Sequence, residues 1–237
     1  MRMGDTVAVG WMDPGQVDGM FCLSIANLYE GTRGRVQALL RVENSGLLSR
    51  GRNEIVDRFL RTTNCQWLLM LDSDMQLDVR GFETLMTVAH DSDRPIVAGL
   101  YFGAWPGDVY PTPVPLIFLE RPGTTRYLPI LDYPDNQVIE IHSAGTGCLL
   151  VHRSVFEKFQ ADANPHQGQQ WCWFQDMPIN GDWFSEDHWF CARARELGFK
   201  LHAHTGVVLP HRKRFWLSDK QYVKPDVEQV AKELGHV

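Results

Sequence analysis

The chain has 237 residues, 44% hydrophobic and 22% charged, and 23 Lys and Arg against 29 Asp and Glu give a net charge of −6. That length builds one α/β domain or two small ones around a sizeable core, and the acidic balance argues against binding nucleic acid by charge alone. No apolar run reaches the roughly 18 residues of a membrane span, no signal-peptide pattern is seen after Met1-Arg2-Met3-Gly4-Asp5, and five scattered cysteines without a CxxC pair fit free thiols in a reducing compartment, so a cytoplasmic protein without a membrane partner is expected.

In chain order, Thr6 to Met12 predicts a strand, broken by Asp13-Pro14-Gly15. Phe21, Ile25 and Leu28 place a helix over Met20 to Tyr29. Arg35 to Val42 predicts a second strand. Ser49 is a candidate N-cap for a helix over Gly51 to Arg61, whose stripe is Ile55, Val56, Phe59 and Leu60. Gln66 to Leu71 is a continuous apolar run, the pattern of a strand buried on both faces. A helix over Val79 to Ala89 and a strand over Pro95 to Phe102 complete an alternating strand and helix half of Rossmann type.

The segment from Gly103 to Ile141 carries seven prolines. Short extended pieces at Val114 to Leu119, Arg126 to Leu131 and Val138 to Ile141 predict an antiparallel excursion. Ser143-Ala144-Gly145-Thr146-Gly147 then leads into a strand over Cys148 to His152 and a helix over Ser154 to Phe159. Asp162 to Phe184 reads as a polar, aromatic loop. Ser185 caps a helix running to Leu197, with Gly198 as its C′ residue. A strand at about Phe199 to His204 or beyond, the run Val207 to His211 and a short helix near Val227 to Leu234 finish the chain.

Asp72 and Asp74 come directly after the buried strand, at the carboxyl end where open α/β sheets bind ligands. Two carboxylates that close repel unless a cation intervenes. Mg2+ or Mn2+ with a diphosphate meets that need through oxygen ligands. The plain alternative is a polar turn capping the next helix. Haloacid-dehalogenase phosphatases also place DxD after a strand, but with a Thr or Val soon after the second Asp, and Met75-Gln76-Leu77 supplies neither. Glu186 and Asp187 open a helix, where the dipole favours acids. They serve either as caps or as a general base kept ionised by the dipole. Five of the eight Trp (Trp171, Trp173, Trp183, Trp189, Trp216) lie in the last third, and such rings form either core or platforms for sugars and bases. Cys191, His202 and His204 could approach one zinc ion, although satisfied histidines are the simpler reading.

Taken in order, Arg50-Gly51-Arg52-Asn53, Leu71-Asp72-Ser73-Asp74, Gly145-Thr146-Gly147-Cys148-Leu149-Leu150 before Arg153-Ser154-Val155-Phe156, Ser185-Glu186-Asp187 before Glu196-Leu197-Gly198-Phe199-Lys200, and His211 resemble a GT-A glycosyltransferase related to family 2, over about residues 6 to 212. The compact layout is also similar to small stand-alone bacteriophage glycosyltransferases. The resemblance implies a single GT-A (Rossmann-like) α/β domain. Its central sheet would be mostly parallel, with helices on both faces and a small antiparallel acceptor-side excursion. Residues 1–102 would be the nucleotide-sugar half and residues 103–237 the acceptor half.

It implies hexose transfer from a nucleotide sugar, UDP-glucose or similar, with Mn2+ or Mg2+ as cofactor and inversion at the sugar. Asp74 would hold the metal with His211, and Asp72 the metal or the ribose. Arg52, Asn53, Asp72 and Ser73 would line the nucleotide, with Gly145 and Gly147 in a tight turn beneath it. Asp187 would be the base and Glu186 its alternative. Ser185 stands where relatives often have Gly. Trp183, Trp189, Arg212, Arg214 and Trp216 are candidate acceptor contacts.

Residues 211–224 carry five Lys and Arg against one acid, with aromatics interleaved. That pattern suits a polyanion with stackable bases, a grip on the donor diphosphate or a solvated face; with it, the resemblance to bacteriophage glycosyltransferases, some of which decorate hydroxymethylated pyrimidines in DNA, implies such a base as acceptor. A protein or glycan acceptor, and a nucleotide-sugar or glycan-binding module without turnover, are the competing readings.

Overall fold

The computed structural model describes residues 5–44, 46–105, 111–121, 124, 126–162, 172–179 and 182–214. The first elements are β1 (Val7–Asp13), α1 (Gly19–Gly31), β2 (Val36–Glu43), α2 (Leu48–Thr62), β3 (Trp67–Leu71), α3 (Val79–Val88) and β4 (Ile96–Leu100). Then come β5 (Phe102–Trp105), β6 (Thr112–Pro115), β7 (Ile117–Glu120), β8 (Tyr127–Pro129), β9 (Val138–Ile141) and β10 (Ser143–Ala144). The last are β11 (Cys148–His152), α4 (Arg153–Asp162), β12 (Met177–Ile179), β13 (Asp182–Phe184), α5 (Glu186–Glu196) and β14 (Leu201–Val208).

The main sheet has seven strands in the order β2-β1-β3-β11-β4-β14-β9. Side chains alternate across it. Leu68 and Met70 face a core closed by Ile55, Val56 and Phe59 of α2, Val155, Phe156 and Phe159 of α4, and Phe190 and Ala194 of α5. Trp67, Leu69 and Leu71 face the opposite core, closed by Phe21, Ile25 and Leu28 of α1 and by Phe82, Leu85 and Met86 of α3. Helices on both faces explain why β3 is apolar at every position.

The sheet is mixed. β2, β1 and β3 are parallel, as are β4 and β14. β11 lies antiparallel between β3 and β4, and β9 lies antiparallel against β14 at the edge. The chain leaves β4 at its carboxyl end, passes through β5 to β8, runs along the sheet edge as β9, and re-enters between β3 and β4 as β11, with no helix among the described residues between. It therefore returns pointing the opposite way. The excursion holds two small antiparallel units, β5-β6 and β10-β7-β8. β9, expected within it, belongs to the main sheet instead.

Other boundaries shift for local reasons. α2 starts at Leu48, not after Ser49, and its N-cap is Leu47 without a side-chain cap bond. Asn44 organises that entry: its Nδ2 donates to the Leu47 carbonyl at 2.7 Å and its Oδ1 accepts from Gly46 N at 3.0 Å. The strand expected over Pro95 to Phe102 divides at Tyr101 into β4 and β5. The loop before α5 contains the β12-β13 hairpin. β14 runs unbroken to Val208. Gly198 has φ +90°, the left-handed stop expected after α5. The helix expected over 227–234 lies outside the described residues. Among the described residues no helix is long and apolar enough to cross a membrane.

Candidate functional site

The site forms at the carboxyl ends of β1, β3 and β4. β11 begins there, so the turn before it meets the turn after β3. Cys148 pairs with Leu71, and Asp72 N donates to the Gly147 carbonyl at 3.0 Å. Gly147 N in turn donates to the Tyr101 hydroxyl at 2.9 Å. A Cβ on Gly145 would lie 2.1 Å from the Tyr101 hydroxyl, and one on Gly147 would lie 2.7 Å from Cζ of the same ring. Both glycines are thus required by close approach to Tyr101.

Arg52 of α2 reaches this edge and is only 4% exposed. Its Nη1 donates to Asp72 Oδ1 at 3.1 Å, its Nη2 to Asp72 Oδ2 at 3.4 Å, and its Nε to Glu186 Oε1 at 3.2 Å. Burial alone would favour the neutral guanidine, but Asp72 and Glu186 outweigh it and hold the charge. Glu186 is buried as well. Burial first, and then the charge of neighbouring Asp187, push its carboxyl above the ordinary range, with Arg52 opposing. Asp187 accepts from the Ser185 hydroxyl and from His188 N, at 2.8 Å for the latter, both through Oδ1. The His188 ring stacks on Tyr127 at 4.6 Å, and its Nδ1 lies 2.7 Å from Ser143 Oγ.

On the other side of the DxD turn, the segment after β14 runs back along residues 74–76. Gln76 N donates to the Pro210 carbonyl at 3.2 Å, and Arg212 N to the Asp74 carbonyl at 2.9 Å. His211 therefore sits beside Asp74, with Nε2 3.2 Å from Asp74 Oδ2. Lys213 Nζ is 3.8 Å from the same oxygen. Burial raises the Asp74 carboxyl, but the hydrogen bond and charge of His211 outweigh it and the net shift is downward. His211 Nδ1 lies 2.7 Å from the Phe102 carbonyl, an acceptor, so Nδ1 carries the proton. Nε2 then faces the Asp74 carboxylate oxygen, and a proton or a cation must lie between them. Asp74 and His211 could thus hold a divalent ion completed by phosphate oxygens and water, with the histidine oriented by its carbonyl partner. Among the described residues no cluster of three or more His, Cys, Asp or Glu side chains has metal-holding geometry. Cys191 instead donates to the Ala144 carbonyl, and His204 Nδ1 accepts from Gly206 N.

Of the candidate residues, Arg52, Asp72, Asp74, Gly145, Gly147, Glu186, Asp187 and His211 come together, with Ser73 partly exposed in the same turn. Asn53 does not line the cleft. Its Nδ2 donates to the Ser49 and Phe174 carbonyls at 2.8 and 2.7 Å. Its Oδ1 accepts from Trp173 N and Phe174 N at 2.8 and 3.1 Å. The side chain is an anchor for the segment before β12. Trp183 is 69% exposed on β13, three residues before Glu186. Trp189 packs into the core beside Phe159, 6.4 Å between centroids. Arg212 pairs with Asp18, and Arg214 is exposed. Trp216 lies outside the described residues. Sequence reasoning missed Tyr101 and Ser143. The signal available for Tyr101 was a lone hydroxyl at the end of an otherwise apolar strand.

No protein-family model and no curated protein sequence matches the chain. Solved structures do. A197 from STIV aligns at 14% identity over 88% of this chain and 86% of its own, with a TM-score of 0.55. GalNAc-T7, crystallised with UDP, GalNAc and Mn2+, aligns at 14% identity over 88% of this chain, again with a TM-score of 0.55. This chain spans 44% of that second protein's length. The architecture held in common is the GT-A fold: one α/β domain with a mixed central sheet between helices.

Proposed function

We propose that the protein is a divalent-metal-dependent glycosyltransferase that moves a hexose from a nucleotide sugar, a UDP-sugar in the first instance, to an acceptor hydroxyl with inversion. The observation that carries this reading is the Asp74–His211 pair, a carboxylate oxygen and an imidazole nitrogen 3.2 Å apart at the carboxyl edge of a GT-A sheet. Asp72, Asp74 and Asp187 lie at this edge with Lys213, and Arg52 is already paired with Asp72 and Glu186, so a diphosphate needs further positive charge to bind here. Asp74 and His211 would hold Mn2+ or Mg2+. When bound, that ion supplies charge neutralisation for the departing nucleoside diphosphate. Lys213 adds a mobile positive charge beside Asp74.

Asp187 is the proposed base. Both of its hydrogen bonds reach Oδ1, and among the described residues none reaches Oδ2, which leaves that oxygen for the acceptor proton. Ser185 and the backbone N–H of His188 hold the carboxylate in a fixed orientation. The neighbour crystallised with UDP, GalNAc and Mn2+ supports the donor and metal assignments by analogy of fold. The exposed Trp183 beside Asp187 suits an acceptor platform. The cations from residue 211 onward, taken with the bacteriophage resemblance, favoured a hydroxymethylated pyrimidine in DNA. Of these, Arg212 is paired with Asp18 and Lys213 faces Asp74, so Arg214 alone among the described ones keeps an outward role.

Thermal shift with a panel of nucleotide sugars in Mn2+, Mg2+ and EDTA tests the reading. A donor at 100 times its Kd adds about 2.7 kcal/mol. The expected result is a metal-dependent shift with one donor, lost in Asp74→Asn. Transfer assays separate the enzyme from a binding module: Asp187→Asn should keep donor binding and lose about 10²- to 10⁴-fold in turnover. Unchanged turnover in that variant defeats the base assignment. No shift with any donor defeats the nucleotide-sugar reading.

A further inference from the structure

Arg52 touches two carboxylates that arrive from opposite ends of the sequence. Asp72 lies 20 positions away, on the turn after β3, and Glu186 lies 134 positions away, in the first turn of α5. Only 5% of the Arg52 side chain and 6% of the Glu186 side chain are exposed. Asp72 takes Arg52 through both oxygens, at 3.1 and 3.4 Å, the fork geometry that fixes orientation as well as distance. No other described ion pair joins the DxD turn to α5, and the two elements carry the two halves of the proposed chemistry. Asp74 is two residues from Asp72. Asp187 is the neighbour of Glu186.

We propose that Glu186 and Arg52 are positioning residues: through Asp72 they clamp the first turn of α5 to the DxD turn and so set the spacing between Asp187 and the Asp74–His211 pair. Glu186 is then not a general base, because its carboxylate is committed to a buried guanidinium. Asp72 correspondingly serves as the anchor of the clamp, with Asp74 left to face the diphosphate. An error of about 1 Å in such spacing costs on the order of 10²-fold in rate, so the clamp matters without touching substrate. This inference rests on the glycosyl-transfer reading for its kinetic consequence but not for its mechanical one.

The experiment compares wild type with Glu186→Gln, Arg52→Lys and the double variant. Glu186→Gln is isosteric and keeps an acceptor for Arg52 Nε but removes the charge that strengthens the contact; Arg52→Lys, which loses the fork to Asp72, is the second probe, and urea midpoints check the folding of both. With the donor found by thermal shift, Glu186→Gln should lower kcat roughly 10- to 100-fold, leave donor KM within about threefold, and keep the acidic limb of the pH–rate profile. The double variant should be no worse than the poorer single one, since the residues act as a unit. A loss as deep as that of Asp187→Asn, with the acidic limb abolished, overturns the proposal in favour of Glu186 as base. Wild-type kinetics in Glu186→Gln overturn it too.

Hydrogen exchange reads the clamp without turnover. The amides of Met75 and Trp189, bonded to the Asp72 and Ser185 carbonyls, should exchange faster together in Glu186→Gln and in Arg52→Lys. Faster exchange at Trp189 alone means that the two turns are not coupled and overturns the clamp. If no nucleotide sugar binds wild type, the transfer reading falls while the exchange result still decides the clamp.

Discussion

Tyr101 carries more of the site than any residue its size suggests. Its hydroxyl accepts from Gly147 N, and its ring packs edge-on to His211 at 5.3 Å. Burial, and then the negative charge of Asp72 and Asp187, hold the phenol well above its ordinary pKa, so it stays neutral. Gly145→Ala would drive a methyl to 2.1 Å from that hydroxyl. We expect the variant to lose about 1–3 kcal/mol in urea denaturation. Tyr101→Phe removes the colliding oxygen, so the double variant should lose less than the two single costs added together. Strict additivity would show that the turn, not the hydroxyl, yields. Asn53 makes a second residue-scale case. Asn53→Ala deletes four hydrogen bonds to the backbone of Ser49, Trp173 and Phe174. A cost of about 2 kcal/mol, with faster proteolysis between α4 and β12, is the expected outcome. Lost donor affinity with unchanged stability would instead return Asn53 to the nucleotide.

At the scale of elements, α2 lies so close to β1 that a Cβ on Gly10 would fall 2.4 Å from Ile55 Cγ2 and 3.2 Å from Leu68 Cδ1. Gly10→Ala should therefore cost about 1–3 kcal/mol, and Ile55→Ala in the same chain should recover part of it. Equal losses by Ile55→Ala in the two backgrounds would show that α2 shifts as a body instead. This packing also explains what was legible in advance. The apolar stripe of Ile55, Val56 and Phe59 and the unbroken run of β3 are local patterns, and they fixed the first five elements to within a few residues. The direction of β11 is not local. It is set by where the chain re-enters the sheet after β10, which no periodicity records. β9 carries the same kind of short apolar piece as β7 and β8, and only its register with β14 assigns it to the large sheet. The site divides in the same manner. Acids at strand and helix ends are visible as motifs, so Asp72, Asp74, Glu186 and Asp187 are candidates from the sequence, and the fold brings them to one edge. Asn53 forms part of a recognisable motif too, yet its partners lie 120 and 121 positions away, and spacing cannot show that its amide is already committed.

The whole molecule carries its histidines in a way that sets how it responds to acid. His142, His152, His188, His202 and His204 are all shifted below the ordinary imidazole value, in each case chiefly because burial disfavours the charged ring. His188 lies among Tyr127, Phe118 and Phe184, and His152 lies edge-on to Trp67 at 4.8 Å. A histidine whose folded pKa lies below its unfolded value near 6.5 binds its proton more readily in the unfolded chain. Stability is then undiminished above about pH 6.5 and falls as the pH drops below it, toward the folded values. The carboxylates act in a separate window. Asp13, lowered first by its hydrogen bond from Arg41, contributes stability above the ordinary carboxylate pKa and loses it only as the pH falls through the depressed folded value. Acidification should therefore weaken the fold in two stages, the first from histidines and the second, below about pH 4, from paired acids. Urea midpoints at pH 7.5, 6.5, 5.5 and 4.5 read the first stage directly. We expect a steady fall from pH 6.5 to 4.5, and a shallower one in His152→Gln and His188→Gln, which keep a hydrogen-bonding group but cannot take the charge. A wild-type midpoint constant across that range would mean that the histidines titrate alike in folded and unfolded chains. The aromatic packing around His152 and His188 would then have to admit water without global unfolding.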